Sequence, residues 1–162
     1  MALQREIVIY TDGGCEPNHP WRGGWGVILL FENSQGQHER TIAGGDRHTT
    51  NNRMEMTAII KGIEALSRPC DILIYSDSQY VVKGTGNWNE GDPVHTTGWM
   101  VNWKKKGWKK SGGPLKNIDL WKKIDRLVRE HKSVQMKWIK GHAGNEYNER
   151  CDTLALEERL RI

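Results

Sequence analysis

The sequence predicts an α/β fold in which one mixed sheet carries helices on its faces. Two patterns lead to this expectation. Strand-like runs joined by turns come first along the chain, and after residue 50 the apolar residues alternate between helical and strand spacing. The length of 162 residues fits one globular domain.

The first part of the chain reads as an antiparallel meander. Residues 7–11 form a strand that is apolar on both faces, which is typical of a central strand. We expect this strand to stop at Asp12-Gly13-Gly14, where a glycine-rich turn leads into a second strand over 24–31. Asn33-Ser34-Gln35-Gly36 is a hairpin connection, and residues 39–43 return as a third strand.

The rest of the chain alternates between helices and strands. Apolar spacing predicts a first helix over 51–67, with Thr49 or Thr50 as its N-cap and Pro69 at its exit. A loop without periodicity covers 84–98. The other predicted elements are a strand over 71–76, a short helix over 78–83, a helix over 117–131, a strand over 134–139 and a helix over 146–160.

Positive charge is concentrated in one segment. Residues 99–140 hold 13 lysines and arginines against 3 acids, although the formal charge of the whole chain is only +4. Within this segment lysines alternate with tryptophans, namely Trp99, Trp103, Lys104, Lys105, Lys106 and Trp108. Lysines neutralise phosphates and indole rings pack on sugars or bases, so the segment predicts nucleic-acid binding. The alternative is a solvated charged face, which rarely carries tryptophans.

Four carboxylates sit where an acidic side chain would turn inward. Asp12 and Asp77 follow apolar strands, and Glu55 lies on the apolar stripe of the first helix. Asp152 borders the apolar face of the last helix. If these side chains converge, their oxygens form a pocket suited to hard divalent cations.

Each of these residues also has a structural explanation. Asp12 could be a turn residue and Asp77 a helix N-cap, while Glu55 could be solvated and Asp152 could form a boundary salt bridge. His142 lies in a glycine-flanked loop, where most histidines have no special role. Beside a metal pocket it could accept or donate a proton, because imidazole titrates near neutral pH.

Several classes of protein are disfavoured. No apolar stretch approaches the roughly 20 residues that span a bilayer. The chain starts without a charged-then-apolar leader, and its three cysteines have neither metal-binding spacing nor an even number for disulfides. We therefore expect a cytoplasmic protein without a membrane partner.

Four motifs occur in order along the chain: Tyr-Thr-Asp12-Gly-Gly-Cys, Thr-Thr-Asn51-Asn52-Arg53-Met54-Glu55, Tyr-Ser-Asp77-Ser-Gln79-Tyr80, and Lys-Gly-His142-Ala-Gly followed by Asn148-Glu-Arg-Cys-Asp152. Together they resemble the bacterial type 1 ribonuclease H family, from about Ile7 to Leu156. The resemblance implies one catalytic domain over 1–162, a five-stranded mixed sheet and a basic protrusion at about 99–116.

The resemblance also implies an activity and a set of site residues. The activity is endonucleolytic cleavage of the RNA strand of an RNA/DNA hybrid with two Mg²⁺ ions, for which Mn²⁺ could substitute, leaving 3′-hydroxyl and 5′-phosphate ends. The implied metal ligands are Asp12, Glu55, Asp77 and Asp152, and His142 would assist proton movement or product release. The implied substrate contacts are Asn18, Thr50, Asn51, Asn52, Gln79, Trp99, Trp103, Lys104, Lys105, Lys106, Trp108 and Asn148.

The chain departs from the family pattern in its first turn and before the protrusion. Pro20-Trp21-Arg22 replaces mostly small residues, and about ten residues are inserted within 86–98. We expect the hybrid duplex as partner, no small-molecule cofactor and a monomeric enzyme. The alternatives are a hybrid-binding protein without catalysis, or a related metal nuclease such as an integrase or junction resolvase.

Overall fold

The computed structural model describes residues 5–92, 95, 97–110 and 112–162. Within them the strands and helices are β1 (Ile7–Glu16), β2 (His19–Asn33), β3 (Gly36–Asp46), α1 (Asn51–Glu64), β4 (Asp71–Ser76), α2 (Gln79–Thr85), β5 (Trp88–Asn89), α3 (Met100–Lys105), α4 (Ile118–Arg129), β6 (Ser133–Trp138) and α5 (Glu146–Arg161). The strands form one sheet in the order β3-β2-β1-β4-β6-β5. The predicted α/β fold with a mixed sheet is confirmed.

The sheet has six strands among the described residues, one more than expected. The additional strand is β5, which has two residues and pairs antiparallel with the edge of β6. It lies within the segment predicted to be a loop. Two residues are too few for alternation to be visible in a sequence, so this strand carried no signal.

The N-terminal meander is longer than predicted. Strand β1 does not stop at Asp12-Gly13-Gly14 but continues in register with β2, where Gly13 pairs with Trp25 and Gly14 with Gly24. The expected glycine-rich turn is therefore wrong at this position. A Cβ on Gly13 would lie 2.4 Å from the backbone of Met54, and one on Gly24 would lie 2.1 Å from the backbone of Ala155. These glycines allow helices to approach the sheet closely instead of turning the chain.

The middle of the sheet, β1-β4-β6, is parallel. Strand β4 pairs with β1 and β6 pairs with β4, both in the parallel sense.

Helix α1 begins after Thr50, whose hydroxyl accepts from the backbone N–H of Arg53, so Thr50 is the N-cap. Helix α1 ends at Glu64, earlier than the predicted residue 67. Helix α3 lies within the basic segment, for which no element was predicted.

Helices cover both faces of the sheet, as expected. On one face, alternate residues of β1 such as Ile7 and Ile9 join α1 and α4 in the larger hydrophobic core. On the other face, Val8 packs with Cys151 of α5 in a smaller core. Among the described residues no helix combines the length and the apolar character needed to cross a bilayer.

Candidate active site

Three buried or half-buried carboxylates converge at one point of the sheet. Asp12, Glu55 and Asp77 each offer an oxygen, and these oxygens lie within 4.8 Å of one another. They come from β1, from α1 and from the residue that follows β4. The arrangement brings together residues that are far apart in the sequence, as the predicted pocket requires.

Strand pairing explains why the two aspartates meet. In the parallel register of β1 and β4, Tyr10 lies beside Tyr75. Asp12 and Asp77 each follow two residues later on their chains, so they reach the same level of the sheet. Asp12 remains inside β1, opposite Gly26 of β2, and is not a turn residue. Asp77 does not cap α2, because the neighbouring Ser78 hydroxyl accepts from the first turn of that helix.

Glu55 enters the cluster from the helix packed on the sheet. It is only 7% exposed, so the solvated alternative is wrong. Its carboxylate accepts a hydrogen bond from the backbone N–H of Gly13, which also donates to Asp12 Oδ1 at 2.9 Å. The bond to Gly13 fixes the Glu55 side chain against β1.

The electrostatics of this cluster favour a cation. Burial, together with the neighbouring charges of Asp77 and Asp152, raises the pKa of Asp12 to about 7, and a hydrogen bond with Glu55 opposes this rise. Burial and the two aspartates also raise the pKa of Glu55 well above its ordinary value. Among the described residues none of these carboxylates is in an ion pair. Oxygen donors that are crowded, buried and without a counter-ion are a donor set that fits divalent metal.

Asp152 lies beside Asp12 but outside the group of three. It follows Cys151 on α5, and Cys151 packs in the smaller core together with Tyr10. Asp12 is two residues after Tyr10 on β1 and so points to the same face of the sheet. The charge of Asp152 contributes to raising the pKa of Asp12, so the two carboxyls are neighbours. The structure thus supplies a fourth carboxylate next to the cluster.

His142 lies on the exposed loop between β6 and α5. Its backbone φ is 54°, in the left-handed region. The preceding Gly141 packs against Asp77, because a Cβ at Gly141 would lie 2.8 Å from Asp77 Oδ2. The loop therefore borders the carboxylate cluster, and a role for the His142 ring in catalysis stays a prediction.

The three tryptophans of the basic segment differ in exposure. Trp99 is 41% exposed, whereas Trp103 and Trp108 are half-buried and pack against the larger core. The Trp103 ring meets Trp121 edge-on at 5.2 Å and Trp99 at 5.9 Å. Trp99 is therefore the indole of this group that offers the most free surface to a ligand.

The three lysines of this segment also differ. Lys105 and Lys106 are exposed. Lys104 Nζ instead bonds Asp125 Oδ1 of α4 at 2.8 Å, and both side chains are 12% exposed. Lys104 anchors α3 to the body of the protein, so its predicted contact with substrate would require the bond to Asp125 to break.

The remaining predicted contacts occupy different positions. Asn18 lies in the exposed turn between β1 and β2, and Thr50, Asn52 and Gln79 are at the starts of α1 and α2. Asn51 Oδ1 accepts from the backbone N–H of Cys15 at 2.6 Å. Asn148 is 2% exposed, and its Nδ2 has no hydrogen-bond partner among the described residues. Its predicted contact with substrate finds no support in this burial.

Sequence reasoning missed two residues that organise the site. The first is Gly13, which was interpreted as a turn glycine. The second is Arg53, whose guanidinium forms a two-pronged bond with Asp119 at 2.8 and 2.9 Å and so ties α1 to α4. The position of Arg53 in the Asn-Asn-Arg-Met-Glu motif was a signal, but its partner could not be identified from the sequence.

Comparison with protein families gives a consistent result. The family model described as RNase H matches residues 4–159. The ribonuclease H of Bordetella pertussis is 46% identical over 152 residues, which cover 93% of this chain and 87% of the relative. A ribonuclease H of Rhodopseudomonas palustris strain TIE-1 is 47% identical over 155 residues, covering 95% and 89%. That of Chromobacterium violaceum is 44% identical over 156 residues, covering 96% and 95%.

Solved structures with similar folds include nucleases. LC9-RNase H1, a type 1 RNase H with the type 2 active-site motif, superposes with a TM-score of 0.81 at 26% identity, covering 99% of this chain and 75% of that one. The foamy viral protease-reverse transcriptase in complex with RNA/DNA hybrid gives a TM-score of 0.73 at 19% identity, covering 98% and 20%. The second similarity concerns the fold alone.

Proposed function

Because the chain belongs to the ribonuclease H family and is a nuclease, we propose that it cleaves the RNA strand of RNA/DNA hybrids with divalent metal ions held by its carboxylate cluster. The observation that carries the proposal is the convergence of Asp12, Glu55 and Asp77 within 4.8 Å. Buried acids at this separation repel one another unless cations or protons compensate them.

The proposed metal ligands are Asp12, Glu55, Asp77 and Asp152. Mg²⁺ prefers oxygen ligands, and these residues offer only oxygen. Two bound Mg²⁺ ions would activate water and stabilise the departing 3′ oxygen of the scissile phosphodiester. The protein contributes the orientation of the carboxylates, which the Gly13 amide and the strand register fix before substrate binds.

Recognition of the RNA strand is assigned to amides near the cluster. The 2′-hydroxyl distinguishes RNA from DNA, and it both donates and accepts hydrogen bonds. Asn18, Asn52 and Gln79 are exposed and carry amides that could meet such hydroxyls. The foamy viral relative of the same fold was solved with an RNA/DNA hybrid, which agrees with this choice of substrate.

The DNA strand is assigned to the basic segment. Trp99, Lys105 and Lys106 present free surface there, and their chemistry suits a phosphate backbone without base selection. Thr50 would hold a further phosphate at the start of α1. In this proposal the 162 residues act as one catalytic domain, with the protrusion at about 99–116, as a monomer and in the cytoplasm.

His142 is assigned a supporting role in turnover. Its exposed loop adjoins Asp77 through Gly141, so its imidazole can exchange protons with solvent beside the reacting phosphate. His142→Asn tests the role, because asparagine tolerates the left-handed backbone at this position. We expect slower turnover with measurable residual activity, because the metals supply most of the catalysis.

The proposed function is tested with labelled RNA/DNA hybrid, duplex RNA and duplex DNA, each in Mg²⁺ or EDTA. We expect cleavage of the hybrid alone, in Mg²⁺ alone, with a 5′-phosphate and a 3′-hydroxyl on the RNA products. Asp152→Asn should lose most activity, while Glu157→Gln, an exposed acid on the same helix, should retain it. Hybrid that is bound but left intact in Mg²⁺ would instead indicate a binding protein.

A further inference from the structure

An exposed tryptophan stands at the beginning of β2, away from the basic segment. Trp21 is 56% exposed, a larger fraction than that of Trp99. It lines one surface cavity together with Arg22, Arg47 and His48. We refer to these four residues as the Trp21 patch. An exposed indole among cationic side chains is a combination typical of ligand contact.

The arginines of the Trp21 patch differ from most others in the chain. Six of the nine other arginines pair with acids, as in the bonds of Arg53 with Asp119 and Arg150 with Glu39. Within the described part of the chain, neither Arg22 nor Arg47 is in an ion pair. The two guanidinium groups beside one indole carry two positive charges, against the one negative charge of Asp46, which accepts a hydrogen bond from the backbone N–H of His48.

The Trp21 patch is held firmly to the catalytic half of the molecule. The carbonyl of Trp21 accepts from the backbone N–H of Thr49 at 2.9 Å. Strands β2 and β3 pair directly beside it, with Gly23 opposite Asp46. Residues 47 and 48 then lead through Thr49 and Thr50 into α1, which carries Glu55. The patch and the carboxylate cluster therefore keep a fixed separation.

We propose that the Trp21 patch is a second nucleic-acid contact surface, which binds the sugar-phosphate backbone of the hybrid at a distance from the scissile bond. The inference rests on the proposed function, because it assumes a duplex bound at the carboxylate cluster. Guanidinium groups bond phosphate oxygens in two-pronged geometry, and the indole face packs on sugars. No contact to base edges is needed, so the patch adds affinity without sequence preference.

The register of the sheet sets the length of duplex that the patch requires. Asp12 lies opposite Gly26 on β2, and Arg22 is four residues earlier on the same strand. At the rise of a β-strand this separation is about 13 Å. The proposal takes the duplex to run along β2 from the cluster towards the patch, and in that orientation the separation corresponds to roughly four base pairs. A hybrid that ends closer than this to the cleavage point on the patch side cannot reach the patch.

The test measures equilibrium binding with cleavage blocked by Asp12→Asn. In this background Trp21→Ala, Arg22→Ala and Arg47→Ala are combined, and fluorescence anisotropy gives Kd for a long hybrid across a series of KCl concentrations. Removing two phosphate contacts should lower the slope of log K against log salt by about 2 and weaken binding by about tenfold or more.

In a second experiment the duplex is shortened from each end in turn. Shortening on the patch side should remove the difference between the variant and its parent.

Arg40→Ala is the matched control, because Arg40 lies on β3 beside Leu29, towards the other end of the strand from Asp46. It should leave the salt slope unchanged. Arg22→Gln with Arg47→Gln, checked by thermal melting, repeats the test with little risk to folding. If the wild-type protein cleaves hybrid but the patch substitutions leave the salt slope unchanged, the patch proposal alone is overturned. If the wild-type protein does not cleave hybrid, the proposed function is overturned. A patch variant that alters sedimentation but not the salt slope would assign the surface to self-association and likewise overturn the proposal.

Discussion

The backbone N–H of Gly13 donates a hydrogen bond to the carboxylate of Glu55, which joins β1 to α1 directly beside Asp12. The bond depends on how closely the helix approaches the strand. A Cβ at Gly13 would lie 2.4 Å from the carbonyl carbon of Met54 and 2.8 Å from the backbone nitrogen of Glu55. The absence of a side chain at Gly13 is therefore a condition for the carboxylate cluster to form.

Gly13→Ala should disrupt both activity and stability. The new methyl group would meet backbone atoms of α1, which cannot rotate away, so the helix and Glu55 must move. We expect at least a hundredfold loss of kcat, together with a destabilisation of about 1–3 kcal/mol, as in other overpacked sites. Steady-state cleavage and denaturant unfolding measure the two effects. Gly36→Ala is the control, since nothing lies within 4 Å of a Cβ there. Because the backbone φ of Gly36 is 109°, this substitution should lower stability but leave kcat unchanged.

Asp12→Asn should inactivate the enzyme and yet stabilise the protein in EDTA. Burial raises the pKa of Asp12 from 3.8 to about 7, so the folded state binds this proton more tightly than the unfolded state. The contribution of Asp12 to the free energy of unfolding is fully present below about pH 4 and is lost as the pH rises through about 7. At pH 8 the loss is on the order of 4 kcal/mol. The asparagine variant should be more stable by a similar amount at pH 8 and close to wild type at pH 4, as measured by urea unfolding. Equal stability at pH 8 would contradict this account.

Mg²⁺ binding should become stronger as the pH rises, whereas the stability of the metal-free protein decreases. Below pH about 7 the proton on Asp12 competes with the cation, so binding must release protons. We expect weaker Mg²⁺ binding at pH 6 than at pH 8 and a net proton release at pH 6. Calorimetry in two buffers of different ionisation enthalpy measures both quantities. Binding of the same strength at both pH values would show that Asp12 is not a ligand.

The sequence was sufficient for the elements whose residues carry their own signal. The continuous apolar run in β1, the stripe on α1 and the hairpin at Asn33 to Gly36 report local preferences, and the structure agrees with them. The extent of β1 was misjudged because Gly13 and Gly14 have two uses, and only the position of α1 in space selects between them. The bond between Lys104 and Asp125 was missed for a similar reason, since a lysine run reads the same whether its members are free or paired.

The paired and free lysines should respond differently to substitution. Removing Lys105 and Lys106 should lower the slope of log K against log salt for hybrid binding by almost 2. It should also raise KM more than it lowers kcat. Removing Lys104 breaks a half-buried ion pair and leaves Asp125 without that partner. It should therefore destabilise the protein with a smaller change in slope. Salt-dependent binding and thermal melting of the two variants separate these effects. The assignment of the lysines would be wrong if Lys104→Ala had the larger effect on the slope.

His95 should make the protein sensitive to acid. It is 1% exposed, and burial lowers its pKa from 6.5 to about 4, although Asp125 opposes this shift. Lys104 and Arg129 also face this group and lower its pKa. Between these two pKa values the buried, neutral histidine binds fewer protons than the same residue in the unfolded chain. The contribution of His95 to the free energy of unfolding is therefore fully present above about pH 6.5, and it is lost as the pH falls towards 4. The loss is on the order of 3 kcal/mol.

His95→Gln should remove this component of the acid sensitivity, because glutamine does not titrate. Urea unfolding at pH 7, 5.5 and 4 gives the comparison, with His19→Gln as a control at an exposed position. The difference between wild type and His95→Gln should change steadily in favour of the variant as the pH falls. Carboxylates that also titrate in this range act equally on both proteins and cancel in the difference. A difference that instead changes in favour of the wild type as the pH falls would mean that His95 is protonated in the folded protein and held by Asp125, 3.5 Å from its Nδ1. A difference independent of pH would mean that folding does not change the pKa of His95.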